Sequence, residues 1–431
     1  MTLPTGGQII YSYTNFADSE CFPTVHVTRA INTRATPDGG TWTYVPTVII
    51  QCTSSNPTKG RQQMAVTKPS GDKSTYIFDV NPLPTNVKGG NGGVFPIEVD
   101  YNSASGTLLA KETQSFDYSQ TVSTFVYDGY VEGGWGGYAT KLSATTTLPI
   151  PGGSSVNQTT QFCYDINYGN LLHKWEWNFY TGAVIHDPNP PTNCSVYSGY
   201  TPDRTTTYSY LNNSNYINST TNITNRPTSV VTSNSGGTVS QTNYCYDYAG
   251  GCGGSSFTSQ TGASNHDDTH YGSGNMFRGD LTQVSRWLNT TGGWLSTNYA
   301  YDMLGNRIQI TDPNLNQTSI SYTDNFYNYT PSKPTYAYPT TTTNPPTNGV
   351  NHIEKTQYYF GTGLPSARCG QNFSSACTYG LALPQPDYTS YSYDTMNRVS
   401  TQIFGDGGQT TFSYPSPTQI QQTQKISSSV S

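Results

Sequence analysis

A four-residue string, aromatic-x-Tyr-Asp, recurs along the chain and each time runs into a turn. It stands at Phe162-Cys163-Tyr164-Asp165, Tyr244-Cys245-Tyr246-Asp247, Tyr299-Ala300-Tyr301-Asp302 and Tyr391-Ser392-Tyr393-Asp394. Two copies continue alike, as Met303-Leu304-Gly305-Asn306-Arg307 and Thr395-Met396-Asn397-Arg398-Val399. Tyr164-Asp165 reaches Gly169-Asn170-Leu171 after a slightly longer loop, and Tyr127-Asp128-Gly129 is a looser member. A second string, a turn followed by an alternating strand that ends in Tyr, accompanies the first. Thr5-Gly6-Gly7-Gln8-Ile9-Ile10-Tyr11-Ser12-Tyr13 matches Asp406-Gly407-Gly408-Gln409-Thr410-Thr411-Phe412-Ser413-Tyr414. Asp312-Pro313-Asn314-Leu315-Asn316-Gln317 before Tyr322 follows the same plan, as do Gly236-Gly237 before Tyr244 and Gly292-Gly293 before Tyr299. Self-similarity of this kind means stacked units that bury surface against their neighbours.

The unit reads as a hairpin. Residues two apart in a strand share a face, so the aromatics of Tyr-x-Tyr project together. Aromatic pairs across strands stabilise by about 0.2–1 kcal/mol each. The Asp closes the strand by accepting local backbone N–H groups. Gly305-Asn306 supplies a turn with positive φ, and Asn397 takes the glycine's place in the last copy. A lone hairpin is not stable in water. The hairpins must therefore line up in a continuous strip, and a twisted strip coils.

Composition agrees. Charged residues are only 11%, but 35 Tyr, 15 Phe and 6 Trp argue against disorder. With 42 Gly and 27 Pro, turns are frequent. No stretch sustains the helical i, i+3, i+4, i+7 pattern with caps. A net charge of -6 is wrong for phosphate-backbone or anionic-membrane binding, so no nucleic-acid partner is expected. No run of about 18 apolar residues exists to span a bilayer. Residues 1–20 show no export signal, and the chain reads as a candidate fragment of a longer product, because Met1 opens inside a repeat unit. The eight cysteines are neighbours in sequence: Cys21 and Cys52, Cys163 and Cys194, Cys245 and Cys252, Cys369 and Cys377. They fit disulfides in an oxidising compartment, or small apolar thiols at strand positions.

Tyr301-Asp302-Met303-Leu304-Gly305-Asn306-Arg307 followed by Thr311-Asp312-Pro313-Asn314 resembles the YD repeat of RHS-family proteins. The match is strongest at 299–322 and 391–414, weaker at 1–13, 158–172 and 236–250, and weakest between 21 and 130. Position 315 is Leu where the family pattern has Gly. The resemblance implies an all-β fold: a strip of antiparallel YD-repeat hairpins spiralling into an open or partial hollow shell. It makes 1–431 a single array, degenerate over 1–130 and clearer over 131–431, with no separate toxin or catalytic domain. The implied function is a structural wall of a secreted or cell-surface protein, enclosing or displaying a partner polypeptide such as a toxin. The alternative is an adhesin that binds carbohydrate through exposed Trp and Tyr. The structural residues of the repeat are Tyr164, Asp165, Tyr246, Asp247, Tyr301, Asp302, Gly305, Tyr393 and Asp394. The four tyrosines are expected on one face.

Other constellations carry less chemistry. His266-Asp267-Asp268-Thr269-His270 has metal-ligand residue types. The two histidines share a face only in a helix, and Gly272-Ser273-Gly274 beside them argues for a polar loop, so no metal site and no cofactor is expected. His26, His173, His186 and His352 have no matching partners in sequence. Glu98 and Asp100 lie on one strand face, and a solvated face explains them better than glycoside hydrolysis. Trp135, Trp175 and Trp177 are the candidates for carbohydrate contact, against the plainer reading that they fill the strip's inner face. No nucleophile elbow or phosphate cradle is present, and no enzyme is expected.

Overall fold

The computed structural model describes residues 7–17, 27–51, 60–80, 94–117, 121–122, 125–127, 130–132, 136–137, 140–165, 167–185, 194, 200–218, 221–247, 257–416 and 419–425. These residues are all-β. Twenty-five strands are hydrogen-bonded in one sheet, and two small two-stranded sheets stand apart from it. The one α-helix among the described residues is a single turn, Asp268–Tyr271. The chain forms two compact units, Met1–Ser209 with Val230–Val239, and Tyr210–Ser229 with Ser240–Ser431.

In the first unit the strands from Ile10–Ala17 to Leu108–Asp117 each pair antiparallel with the next. Leu108–Asp117 then pairs with Thr140–Leu148, and the ladder runs on through Val156–Tyr164, Leu171–Thr181 and Arg204–Tyr210. In the second unit Gly237–Tyr246 pairs with Leu281–Trp287, and the meander continues to Gln419–Lys425. Among the described strands only Phe326–Tyr327 pairs in parallel, against the end of Val350–Tyr359, and one isolated parallel bridge joins Thr258 to Asp302.

One turn geometry joins many of these strands. The first residue's N–H bonds the carbonyl four residues on, and the fourth residue's N–H bonds the first carbonyl. It occurs at 36–40, 68–72, 103–107, 302–306, 312–316, 394–398 and 404–408. The fourth position is left-handed throughout, with φ of +86° at Gly305, 61° at Asn397 and 66° at Leu315. Leu315 therefore keeps the turn that a glycine would make, with its side chain 77% exposed. Three copies lie within 1–130, so the turn persists where the sequence repeat has faded.

Burial is unusually polar. Along Val156–Tyr164 every second residue is buried, and these are Asn157, Thr159, Gln161 and Cys163. Thr159 and Asn157 find hydroxyl partners on neighbouring strands, while Gln161 Oε1 is buried without a hydrogen-bond partner. Thr145 and Thr159 lie 2.8 Å apart, Thr159 and Tyr180 Oη 2.6 Å, and Thr147 donates to Asn157 at 2.6 Å. Ser115–Ser143 and Ser285–Ser296 repeat the pattern at 2.7 and 2.8 Å. Satisfied in this way, buried polar groups avoid the desolvation cost of unpaired ones. The apolar clusters are small, and each is centred on a disulfide. Cys163–Cys194 packs with Trp175, Trp177 and Ile185, and Cys369–Cys377 packs with Ala367, Phe373 and Tyr388. Cys245 is also disulfide-bonded. Cys21, Cys52 and Cys252 lie outside the described residues.

The turn sets opposite outcomes for two substitutions. Leu315→Gly removes left-handed strain without losing burial and should raise stability by about 1 kcal/mol. Gly305→Ala introduces that strain and should lower it by about 1 kcal/mol. Urea unfolding monitored by fluorescence checks both.

Candidate functional site

The Tyr-Asp step that organises the sequence is a bulge followed by a clasp. The ladder register shifts just before the tyrosine in all four copies, between Cys163/Tyr164, Cys245/Tyr246, Ala300/Tyr301 and Ser392/Tyr393. An extra residue on the following strand twists the ladder there. In three copies the tyrosine hydroxyl then donates back to the first carbonyl of the preceding strand. Tyr246 reaches Pro227 at 2.8 Å, Tyr301 reaches Leu281 at 3.0 Å and Tyr393 reaches Pro365 at 2.9 Å. Tyr414 makes the same bond to Val399 at 2.8 Å. The recurring tyrosine contact is thus hydroxyl to carbonyl, where the sequence suggested ring against ring. Ring pairing within the motif is seen at Phe162–Tyr164, with centroids 6.5 Å apart. Burial, partly offset by Arg226 and helped by Tyr244, pushes the Tyr246 hydroxyl up to about 12. It remains a donor at physiological pH.

The aspartate closes the turn from inside. Asp302, fully buried, accepts the N–H groups of Leu304 and Asn306 at 3.0 and 2.9 Å, and the Asn306 side-chain amide at 3.1 Å. Asp394 accepts Met396 and Arg398 N–H groups and pairs with the Arg398 guanidinium at 2.7 Å. Asp312 accepts Asn314 and Asn316 in the same manner. Asp165 accepts Asn167 at 2.8 Å in a turn one residue longer. Bonds from Asn316, and from Arg398 in the other copy, hold the Asp312 and Asp394 carboxyls below the usual value.

Asp247 departs from the expected local turn. Residues 248–279 intervene before the next strand, and its backbone N–H bonds Asp280 O at 2.7 Å. Its fully buried carboxylate accepts N–H groups from Arg278, Gly279 and Asp280 at 2.9–3.0 Å and the Tyr216 hydroxyl at 2.8 Å. The base of the turn survives an insertion of more than thirty residues because the clasp needs only the residue before the next strand. Burial and then the Asp247 charge raise the Asp280 carboxyl, against Arg278 and Arg226.

The remaining candidates resolve into structural roles. His266 and His270 do not converge, since His266 pairs with Asp268 at 2.8 Å and His270 with Asp267 at 2.6 Å. The polar loop expected there contains one helical turn, because Asp267 caps it by accepting from Thr269 and His270. Among the described residues no group of three potential ligands assembles. Glu98 and Asp100 both face Lys111, at 2.9 and 3.3 Å. Burial alone would lower that lysine, but the Glu98 hydrogen bond and the two carboxylate charges win and raise it. Trp175 and Trp177, the two described candidates for carbohydrate contact, are 3% and 4% exposed and pack against Cys163 and Ile185. This leaves no open ring for a sugar and accords with the plainer reading that they fill a covered face of the strip. Trp135 and His186 lie outside the described residues.

An open aromatic cleft takes their place. The chain leaves the ladder after Gln317–Ser321 and returns at Thr341–Thr347. Within this excursion Asp324 accepts from Thr335 and Tyr336, and Asn325 donates to Cys377 O at 3.1 Å. Phe326–Tyr327 is thereby laid beside Tyr358 and Tyr359. The result is a cleft of about 490 Å³ walled by Tyr327, Tyr329, Tyr359, Phe360 and Tyr393, with Thr362, Ser392 and Asn397 also lining it. Tyr359 meets Tyr327 and Tyr393 edge-on at 5.4 and 5.8 Å. Tyr329 stacks on Phe360 at 4.0 Å. Burial, with the neighbouring tyrosines Tyr379, Tyr327 and Tyr393, pushes the Tyr359 hydroxyl up to about 12. The strings Phe326-Tyr327-Asn328-Tyr329 and Tyr358-Tyr359-Phe360 were visible in sequence, but the parallel pairing that joins them was not.

No family model matches the chain, and no curated protein matches it in sequence. Among solved structures, the crystal structure of TcdB2-TccC3-TEV aligns over 95% of this chain and 24% of its own, with a TM-score of 0.51 and 8% identity. That of TcdB2-TccC3-Cdc42 aligns over 96% of this chain and 24% of its own, with a TM-score of 0.50 and 8% identity. The likeness is one of fold, and this chain spans about a quarter of the length of those chains.

Two outcomes test the clasp. Tyr301→Phe, which leaves the Leu281 carbonyl without its donor, should cost about 1 kcal/mol by urea unfolding. Acid should weaken the exposed clasps. The folded carboxyls of Asp312 and Asp394 titrate below their unfolded value of about 3.9, so their contribution is full above that value. It is lost as pH falls through the lowered folded values. Thermal melts between pH 5 and pH 2 should therefore drop less steeply in an Asp312→Asn/Asp394→Asn double variant.

Proposed function

We propose that this chain is a wall segment of an RHS/YD-repeat β-shell, and that it encloses or displays a partner polypeptide such as a toxin or effector. The observation that carries this reading is the recurrence of one clasped turn in the antiparallel ladders of both units, joined in the second unit by the tyrosine hydroxyl bond. A unit of this kind can be added repeatedly, because each strand pair needs only its neighbours. The clasp at Asp247 and Asp280 also tolerates a long insertion without breaking the ladder, as a wall bearing surface loops requires. The fold likeness to a quarter of the TcdB2-TccC3 chains supports a segment of something larger.

The same residues argue against catalysis. The recurrent aspartates are occupied by backbone N–H groups, and Glu98 and Asp100 share the ammonium of Lys111. The chain is read as a non-enzyme that acts by enclosure. The disulfides suit an oxidising compartment, which supports a secreted or cell-surface location. Among the described residues no helix is long and apolar enough to cross a membrane.

Cryo-electron microscopy of the gene product purified from its source tests the proposal. The expected image is a continuous β-wall around a lumen, or a wall face, that carries polypeptide density outside the hairpin ladder. A solid β-structure without a lumen, or a wall with no second polypeptide inside or on it, would overturn it.

A further inference from the structure

We infer that the aromatic cleft is a binding site for a short neutral oligosaccharide. This goes beyond the wall reading, since it rests on the 322–340 excursion, which lays new rings beside Ser392, Tyr393 and Asn397 of the last repeat.

The cleft is built and held open. Its two outermost rings, Tyr329 and Phe360, remain 47% and 40% exposed although they are stacked on each other. Large apolar rings are ordinarily covered when they sit together. Here the backbone prevents it. Asp324 clamps the start of the excursion to Thr335 and Tyr336, and Asn306 ties Tyr336 O to the Asp302 turn at 3.0 Å. The disulfide-bridged loop carrying Cys377 is bonded to Asn325 from the other side. The floor rings are fixed as well, for Tyr359 donates to Tyr391 O at 3.1 Å and Tyr393 to Pro365 O. Little ordering remains to be done on binding.

The lining selects the ligand's chemistry. It contains no Asp, Glu, Lys or Arg, so an ionic ligand would find no counter-charge. Rings alone would suit any apolar molecule. Thr362, Ser392 and Asn397, however, supply groups that both donate and accept hydrogen bonds. Ser392 Oγ already meets Tyr379 Oη at 2.8 Å, which fixes its position while a lone pair stays free. Sugar hydroxyls also donate and accept, and the C–H face of a pyranose stacks on an aromatic ring. A volume of about 490 Å³ falls in the range of small-ligand clefts. A proline-rich peptide is the other class that uses aromatic walls, but it brings mainly acceptors and would leave the hydroxyl donors and acceptors of the rim half used.

The test titrates the full chain with cellotriose, chitotriose and maltotriose, and separately with octaproline, by calorimetry. At least one trisaccharide should bind saturably. Tyr329→Ala and Phe360→Ala should each weaken it about tenfold, the worth of one aromatic contact. Tyr329→Phe and Phe360→Tyr, which keep the rings, should bind within about twofold of the parent. Each alanine variant should still melt as a folded protein, with a lowered midpoint for Phe360→Ala, whose ring is only 40% exposed and edge-on to Phe326. The inference is overturned if no trisaccharide binds up to about 10 mM. It is overturned equally if binding is indifferent to both alanine variants, or if octaproline binds and the sugars do not.

Discussion

A chain that reverses direction within three residues leaves backbone N–H groups facing inward, where no neighbouring strand can accept them. In the turns at Asp302, Asp312 and Asp394 the carboxylate at the first position accepts them. In the Asp302 and Asp312 turns it takes two backbone N–H groups and one side-chain amide. The left-handed fourth residue is the geometric counterpart of that clasp, since it points the amide of the fifth residue at the carboxylate. The bulge before each tyrosine and the hydroxyl bond to the preceding strand then tie one hairpin to the last. A register slip of one residue would move every tyrosine to the wrong face, so the clasp and the tyrosine bond together fix the register of the ladder.

This explains why so polar a chain can fold. Long apolar runs are not needed when buried strand faces carry hydroxyls that satisfy one another across the ladder, as Thr145, Thr159 and Tyr180 do. Apolar packing among the described residues is concentrated in two small clusters, each built around a disulfide. The energetic weight therefore lies in many small hydrogen-bonded contributions spread along the sheet.

Much of this was legible in the sequence, and the misses have physical causes. The Tyr-Asp strings located four strand ends, and Gly305 and Asn397 announced their positive φ. Leu315 did not, because an exposed leucine gives no sign that the surrounding clasp will hold it left-handed. The turns at 36–40, 68–72 and 103–107 carry a glycine at the fourth position, but no Tyr-Asp marks them, so the first 130 residues read as degenerate. Asp247 was assigned a local turn because sequence adjacency cannot reveal that the N–H groups donating to its carboxylate lie about thirty residues on, at Arg278, Gly279 and Asp280. Trp175 and Trp177 alternate correctly for one face, and their burial beside Ile185 and the Cys163–Cys194 disulfide accords with the plainer reading that they fill it. The aromatic cleft was missed because its walls meet through a parallel pairing, which no local pattern encodes.

The central claim is that the turns are as firmly held as the strands they join. Native-state amide hydrogen exchange measures this directly at Leu304, Asn306, Met396 and Arg398, whose N–H groups point at Asp302 and Asp394. The account predicts protection comparable to that of the adjoining ladder amides, lost together with them as denaturant is added. Exchange of these four amides at the rate of an open loop, while the strands stay protected, would contradict it.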